Sequence, residues 1–396
     1  MKTKIAFISK KMDIGGIEKA ALEILKRLDP NLFEVDYYYR RREHESAGVL
    51  LDEIPSWINK KEITLVNKKN YRQYYESPYE RMKFWIEYIC SYITKNADEG
   101  IQYALQSKMN LYEDKQYDLA IAFDGPKAYG LFHTIENINA SKKILWIHGD
   151  VIKEKANSAL IGKYYRSYDR IITVSKEASV ILKTVFPDLS NRIQVVYNYV
   201  DYLTIREKAC QSTCSPFEKH SGIKITTVGR LGHDKGMLMA AQCCKLLLED
   251  GINIKWVLCG DGPERSIIEK YINENALQEH FILLGNQNNP YPYIEACDIY
   301  VQPSIREGFC TTTNEAKVLC KPVVTTDVCG MREQFVNGVN GQIVEISAKG
   351  IYEGISALIK QPDLRQKFTE KLMKINWDLQ TNYNYLMEEF ENGHDD

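Results

Sequence analysis

Glu307-Gly-Phe-Cys-Thr-Thr-Thr-Asn-Glu315 follows a strand-like run, Asp298-Ile-Tyr-Val-Gln-Pro-Ser304, and precedes a helical apolar pattern, Ala316, Val318 and Leu319. The context is strand, glycine-bearing turn, helix start. The first turn of a helix leaves backbone N–H groups unpaired and carries partial positive charge, which favours an anion and above all a phosphate. Gly308 lets backbone approach such a ligand closely, beside Phe309, Cys310 and Thr311. Glu307 lies just before the helix start and Glu315 about a turn beyond it. Both accept hydrogen bonds from hydroxyls, whereas a bare phosphate would repel them. The ligand this layout suits is a diphosphate with hydroxyls on either side, as in a sugar nucleotide. Read blandly, the same residues are a solvated helix start.

The same logic recurs along the chain. Ile5-Ala-Phe-Ile8 reads as a strand, Gly15-Gly16 as a tight turn, and Ile17, Ala20, Ala21, Ile24, Leu25 and Leu28 as a helix ended before Pro30. This opens a Rossmann-like unit, yet it lacks the third glycine of a dinucleotide fingerprint, so NAD is not supported. Val35–Tyr39, Asp118–Phe123, Lys143–Ile147, Asp169–Ser175 and Ile193–Asn198 read as further strands. His148 stands at a strand's C-terminal end, where open α/β sheets bind ligands. Asn198–Asp201 reads as a hinge. The alternation then restarts with Ile223–Val228, followed by Gly229-Arg230-Leu-Gly-His-Asp-Lys235-Gly236 and a helix carrying Leu238, Ala241, Leu246 and Leu247. Arg offers a planar fork of donors and Lys a mobile point charge, and both suit phosphate oxygens. Pro263, after the strand Ile254–Cys259, is expected near the first helical position. Phe281–Gly285 is another strand, with Asn286 at its exit.

Glu, seven residues, Glu, taken with the basic pair and the glycine turns in this order, resembles retaining glycosyltransferases of the GT-B fold, glycosyltransferase family four. The resemblance implies an α/β fold of two Rossmann-like domains facing each other across a cleft: residues 1–200 for the acceptor, 201–372 for the nucleotide-sugar donor, and a last helix, 373–396, crossing back to the first domain through Tyr385, Leu386 and Phe390. It implies that Glu307 holds sugar hydroxyls, Glu315 ribose hydroxyls, that His148 faces the donor sugar, and that Gly15 and Gly16 approach the diphosphate. Arg230 and Lys235, beside Gly229, would neutralise the leaving diphosphate, and Asn286 would lie near the base. The outcome would be retention, by front-face attack with the leaving phosphate as base. The sequence contains no Asp-x-Asp metal motif. Two cations and a helix dipole can replace a metal in stabilising the departing charge, so no cofactor and no metal are expected.

Length and composition bound the rest. The 396 residues suffice for two domains with separate cores. Ten Cys are scattered without zinc or redox spacing and read as small core residues in a reducing compartment. No apolar run is long enough to span a bilayer, and the first apolar run is too short for a signal peptide, so a cytoplasmic protein is expected. Residues 1–200 carry 31 Lys and Arg against 26 Asp and Glu, and the remainder 20 against 27. That mild asymmetry suits an anionic acceptor or a membrane surface and is too small for nucleic acid. Between residues 56 and 116, tyrosines, Phe84 and Trp85 interleave with Lys and Arg. The stretch reads either as helices packed on the domain or as a peripheral contact with the inner face of the plasma membrane. The partners expected are a nucleotide-sugar donor, UDP-linked above others, and a glycan or lipid-linked acceptor in surface polysaccharide (capsule) synthesis. Two alternatives stand beside this: a sugar-nucleotide epimerase or hydrolase, which needs an added base or water-activating carboxylate, and a non-catalytic nucleotide-sugar-binding subunit.

Overall fold

The computed structural model describes residues 2–10, 12–13, 15–40, 48–63, 65–94, 99–110, 112–149, 151–152, 156, 158–211 and 216–377. The expected crossing helix, with Tyr385, Leu386 and Phe390, lies almost wholly outside them. The chain divides into two compact units at Tyr199 and Val200.

The first unit is a seven-stranded parallel sheet of β1 (Thr3–Lys10), β2 (Phe33–Arg40), β3 (Asn59–Glu62), β4 (Glu113–Asp124), β5 (Ile138–Ile147), β6 (Arg170–Thr173) and β7 (Ile193–Val195), in the order β3-β2-β1-β4-β5-β6-β7. The second is a six-stranded parallel sheet of β8 (Ile223–Val228), β9 (Ile254–Cys259), β10 (Phe281–Gly285), β11 (Ile299–Gln302), β12 (Val323–Thr326) and β13 (Gln342–Val344), in the order β10-β9-β8-β11-β12-β13. Helices cover both faces of such sheets, so central strands are buried on both sides and read as unbroken apolar runs. Ile5 to Ile8, Leu119 to Phe123 and Trp256 to Leu258 are all fully buried or nearly so.

Strand order reverses once in each sheet, between β1 and β4 and between β8 and β11. In open α/β sheets the loops leaving the strands at such a reversal border the ligand crevice. In the second unit those loops are 229–236, after β8, and 303–310, after β11. Gly236 ends the first of them at φ +64°, and a Cβ there would lie 2.0 Å from the Pro303 carbonyl oxygen. The position therefore takes only glycine, and the two loops touch there backbone to backbone.

Three local details fill in this plan. The helix expected after Gly236 is Met237–Glu249; it buries Met237, Ala240, Ala241, Cys243, Cys244 and Leu247 and leaves Leu238 and Leu246 half-buried. Pro263 lies beside the N-cap Glu264 of the helix Arg265–Glu274, near its first position as expected. Among the stretch 56–116, the short edge strand β3 was not read at all: Asn-Lys-Lys-Glu has no apolar residue to announce it.

Candidate functional site

The helix Thr311–Val318 starts at Cys310 without a side-chain cap, so its first amides have no local side-chain acceptor. Lys235 Nζ donates to Glu307 Oε1 at 2.7 Å, joining the loop after β8 to the loop after β11. Glu307 is almost fully buried and Lys235 half-buried. Burial opposes the lysine's charge, but the adjoining Glu307, with Cys310 and Asp234, outweighs it and raises the Lys235 pKa. The ammonium is thus a permanent cation at neutral pH.

Behind this pair lies a buried polar chain with one sense. Tyr300 Oη and Thr312 Oγ1 donate to Gln302 Oε1, at 2.9 and 3.0 Å. Gln302 Nε2 donates to Ser304 Oγ at 2.9 Å, and Ser304 Oγ donates to Glu307 Oε1 at 2.7 Å. With the Thr312 hydrogen spent on Gln302, the Cys310 thiol donates to Thr312 Oγ1 at 3.1 Å. Burial first, and Glu307 second, hold that thiol near pKa 11, so it is a neutral donor. Buried networks in which every member is satisfied fix their side chains tightly. This one fixes Glu307.

Arg230 is exposed, and its Nη2 donates to Asp234 Oδ1 at 2.7 Å. The Asp234 carbonyl accepts the amides of Ile305 and Arg306, at 2.8 and 3.0 Å. Asp234 therefore holds Arg230 with its side chain and the β11 loop with its backbone. Glu315 is buried in the helix after Cys310, with Tyr291 Oη 3.4 Å from its Oε1. Gly308, Phe309 and Thr311 are half-buried along the same turn, Gly229 leaves β8 beside it, and Asn286 is exposed after Gly285. Loop 260–262 backs the whole: a Cβ on Gly260 would lie 1.9 Å from the Gly229 carbonyl oxygen.

In the first unit, Gly15 caps the helix Gly16–Arg27 and Gly16 is its first residue. His148 follows β5, where its amide donates to the Asp124 carbonyl at 3.0 Å and its ring lies 4.3 Å from that of Phe123. Asp124 ends β4, one of the two strands at the reversal, so His148 stands beside the ligand end of that sheet.

Arg230, Lys235, Glu307, Gly308, Cys310 and Glu315 thus gather at one strand-end edge of the second unit, with Gly15, Gly16 and His148 at the corresponding edge of the first. Sequence reading missed Gln302, Ser304 and Asp234. Asp234 had a signal, its i,i+4 spacing from Arg230. The partners Lys235 and Glu307 stand 72 residues apart, and no local pattern links them. Among the described residues, no three His, Cys, Asp or Glu converge to hold a metal ion.

Residues 215–374 match the family model for glycosyl transferases group 1. A Campylobacter jejuni 4-alpha-N-acetylgalactosaminyltransferase, named for its action on an N-acetylgalactosamine-N,N'-diacetylbacillosaminyl-diphospho-undecaprenol, is 29% identical over 54% of this chain and 57% of its own. The capsular polysaccharide biosynthesis glycosyltransferase CapM of Staphylococcus aureus is 31% identical over 41% of this chain and 46% of its own. The chain spans about half the length of these relatives. The crystal structure of Anabaena HepE with UDP and glucose superposes with a TM-score of 0.71 at 15% identity, covering 98% of each chain. Residues 215–374 thus resemble the group 1 glycosyl transferases, in a chain with the GT-B fold.

Proposed function

We propose that this protein is a retaining glycosyltransferase that moves a sugar from a nucleotide-diphosphate sugar, UDP-linked by preference, to a glycan or lipid-linked acceptor in surface polysaccharide synthesis. The observation that carries the reading is the Lys235–Glu307 pair at the uncapped start of the helix Thr311–Val318, inside the segment that matches the family. A phosphate held at that start would meet the uncapped amides and Lys235, with Arg230 on the same loop as Lys235. A sugar beyond it meets the carboxylate of Glu307, and a ribose on the other side that of Glu315.

Breaking the bond from sugar C1 to phosphate oxygen leaves positive charge on the ring and negative charge on the diphosphate. Catalysis is the stabilisation of that charge by groups already in place. Two side-chain cations and a helix start supply it here, which supports a reaction without a metal. The first unit takes the acceptor in this reading. The relative acting on a polyprenol-linked sugar supports a lipid-linked acceptor. So does the helix Pro78–Ile93, which leaves Tyr79, Met82, Ile86, Ile89, Tyr92 and Ile93 exposed along one face. That face suits peripheral contact with a bilayer.

The test is a panel of UDP-, GDP- and ADP-sugars incubated with the protein, without acceptor and with and without EDTA. Slow nucleotide release that survives EDTA supports the transferase. A converted sugar nucleotide would make it an epimerase, and tight binding without release in any condition would leave only a binding subunit.

A further inference from the structure

Arg230 and Lys235, on the loop after β8, each already carry a carboxylate. Arg230 Nη2 is 2.7 Å from Asp234 Oδ1, and Lys235 Nζ is 2.7 Å from Glu307 Oε1. A site that only collected anions would leave its cations unpaired. Here the charges of Arg230 and Lys235 are each matched within the same two loops. Both carboxylates are also held in place. The Asp234 carbonyl is bonded to two amides of the β11 loop, and Glu307 Oε1 takes both Lys235 and Ser304. Every described bond to the Glu307 carboxylate falls on that one oxygen, which leaves Oε2 to accept from a ligand hydroxyl.

The geometry points to a charge-matched site in which Asp234 and Glu307 set specificity for the intact sugar nucleotide against the bare nucleoside diphosphate left after transfer. The inference rests on the glycosyltransferase reading and extends it to product release. In transfer the C1–O bond breaks and its electron pair stays on the phosphate oxygen, while the acceptor oxygen bonds C1 and its proton passes to that phosphate. The new terminal phosphate has a second ionisation near pH 6 and loses the proton to water at neutral pH. The product therefore carries one more negative charge than the donor and no sugar hydroxyls. Glu307, satisfied by hydroxyls in the donor complex, then faces a phosphate with nothing to donate. Like charge at short range is repulsive, and more so in a half-buried site than in water. Asp234 keeps Arg230 half-neutralised and acts in the same direction.

Titration calorimetry on the full chain tests this with four probes, UDP, UDP-glucose, GDP and GDP-mannose, against wild type, Asp234→Asn and Glu307→Gln. Glu307→Gln is expected to bind the bare diphosphate at least threefold tighter and the sugar nucleotide no tighter. Asp234→Asn is expected to bind the bare diphosphate at least threefold tighter. In turnover assays both become more sensitive to product inhibition. Bare-diphosphate affinity equal to or weaker than wild type in every variant that keeps a wild-type melting curve overturns the inference and leaves the glycosyltransferase reading standing. If wild type binds none of the four probes, that reading falls, and the inference with it.

Discussion

Lys317 shows what a single side chain contributes here. It is buried in the helix after Cys310, donates to Asn314 Oδ1 at 3.3 Å, and has the rings of Phe335 and Trp377 at 5.5 and 5.6 Å. Burial pulls its pKa down to about 8, below that of an exposed lysine near ~10.4. The unfolded chain thus holds the proton through a window in which the folded chain has lost it, so stability rises as pH climbs from about 8 toward ~10.4. Below that window the charge costs the folded state on the order of 1–3 kcal/mol, partly offset by the two rings. Lys317→Met should therefore raise the melting temperature at pH 7, and the gain should shrink through the same window. Thermal melts of both proteins from pH 7 to 10.5 check this, and a variant less stable at pH 7 would contradict it. Nothing in the sequence marks Lys317 as buried, since a lysine in an amphipathic helix reads as solvated. Glu307, Arg230 and Lys235 were legible because strand, glycine and helix start surround them. Gln302 and Ser304 were not, because their link to Glu307 is a chain of buried side-chain hydrogen bonds that no local sequence pattern shows.

At the scale of the element, β2, β3 and β4 are tied together by one carboxylate. Asp36 is buried, with Lys115 Nζ at 2.9 Å, Lys61 Nζ at 3.1 Å, Asn59 Nδ2 at 3.1 Å and the Tyr117 hydroxyl donating to it. Burial alone would raise its pKa, but these donors, Tyr117 and Lys115 foremost, hold it down at about 2. The stabilisation is present above ~4, where an unfolded Asp is ionised, and is lost as pH falls from there toward 2. Asp36→Asn, which leaves Lys115 to Glu34 and Lys61 to Glu113 and weakens the bonds from Tyr117 and Asn59, should lower stability by roughly 1–3 kcal/mol in urea denaturation at pH 7. Wild-type stability in that variant would remove the network from the account. The helix Pro78–Ile93 makes the second element-scale claim. A capping box of Ser77 and Glu80 starts it, Phe84 and Tyr88 pack inward, and the opposite face is apolar and exposed. Ile86→Glu with Ile89→Glu should abolish co-sedimentation with anionic vesicles, at least tenfold, while changing stability by less than about 1 kcal/mol. Unchanged vesicle binding would refute membrane contact. The sequence displayed the aromatic and basic interleaving but not this split, because aromatic residues occupy both faces of the helix and periodicity alone does not say which one packs.

Over the whole molecule, two parallel sheets repeat one plan, with a single reversal in strand order and glycine loops at the strand ends. That plan was readable because strands covered on both faces must be apolar throughout, and Ile5–Ile8, Leu119–Phe123 and Trp256–Leu258 stand out from their surroundings. One edge was less readable: β3 is exposed or half-buried along its length and polar, whereas the edge strands β7 and β10 keep apolar residues and were read. Each unit has cores of its own, the second built on Trp256, Ile225 and Val324 and, on the other face, Tyr300, Val323 and Trp377. What binds these scales together is the claim that Lys235, held by Glu307 and raised in pKa, receives the departing diphosphate. Steady-state turnover of a sugar nucleotide by Lys235→Ala, compared with wild type at saturating donor, tests it most directly. A fall of at least tenfold, about 1.4 kcal/mol of lost transition-state stabilisation, is the result expected, and Arg230→Ala should show a fall of the same kind. Wild-type turnover in both variants would contradict it.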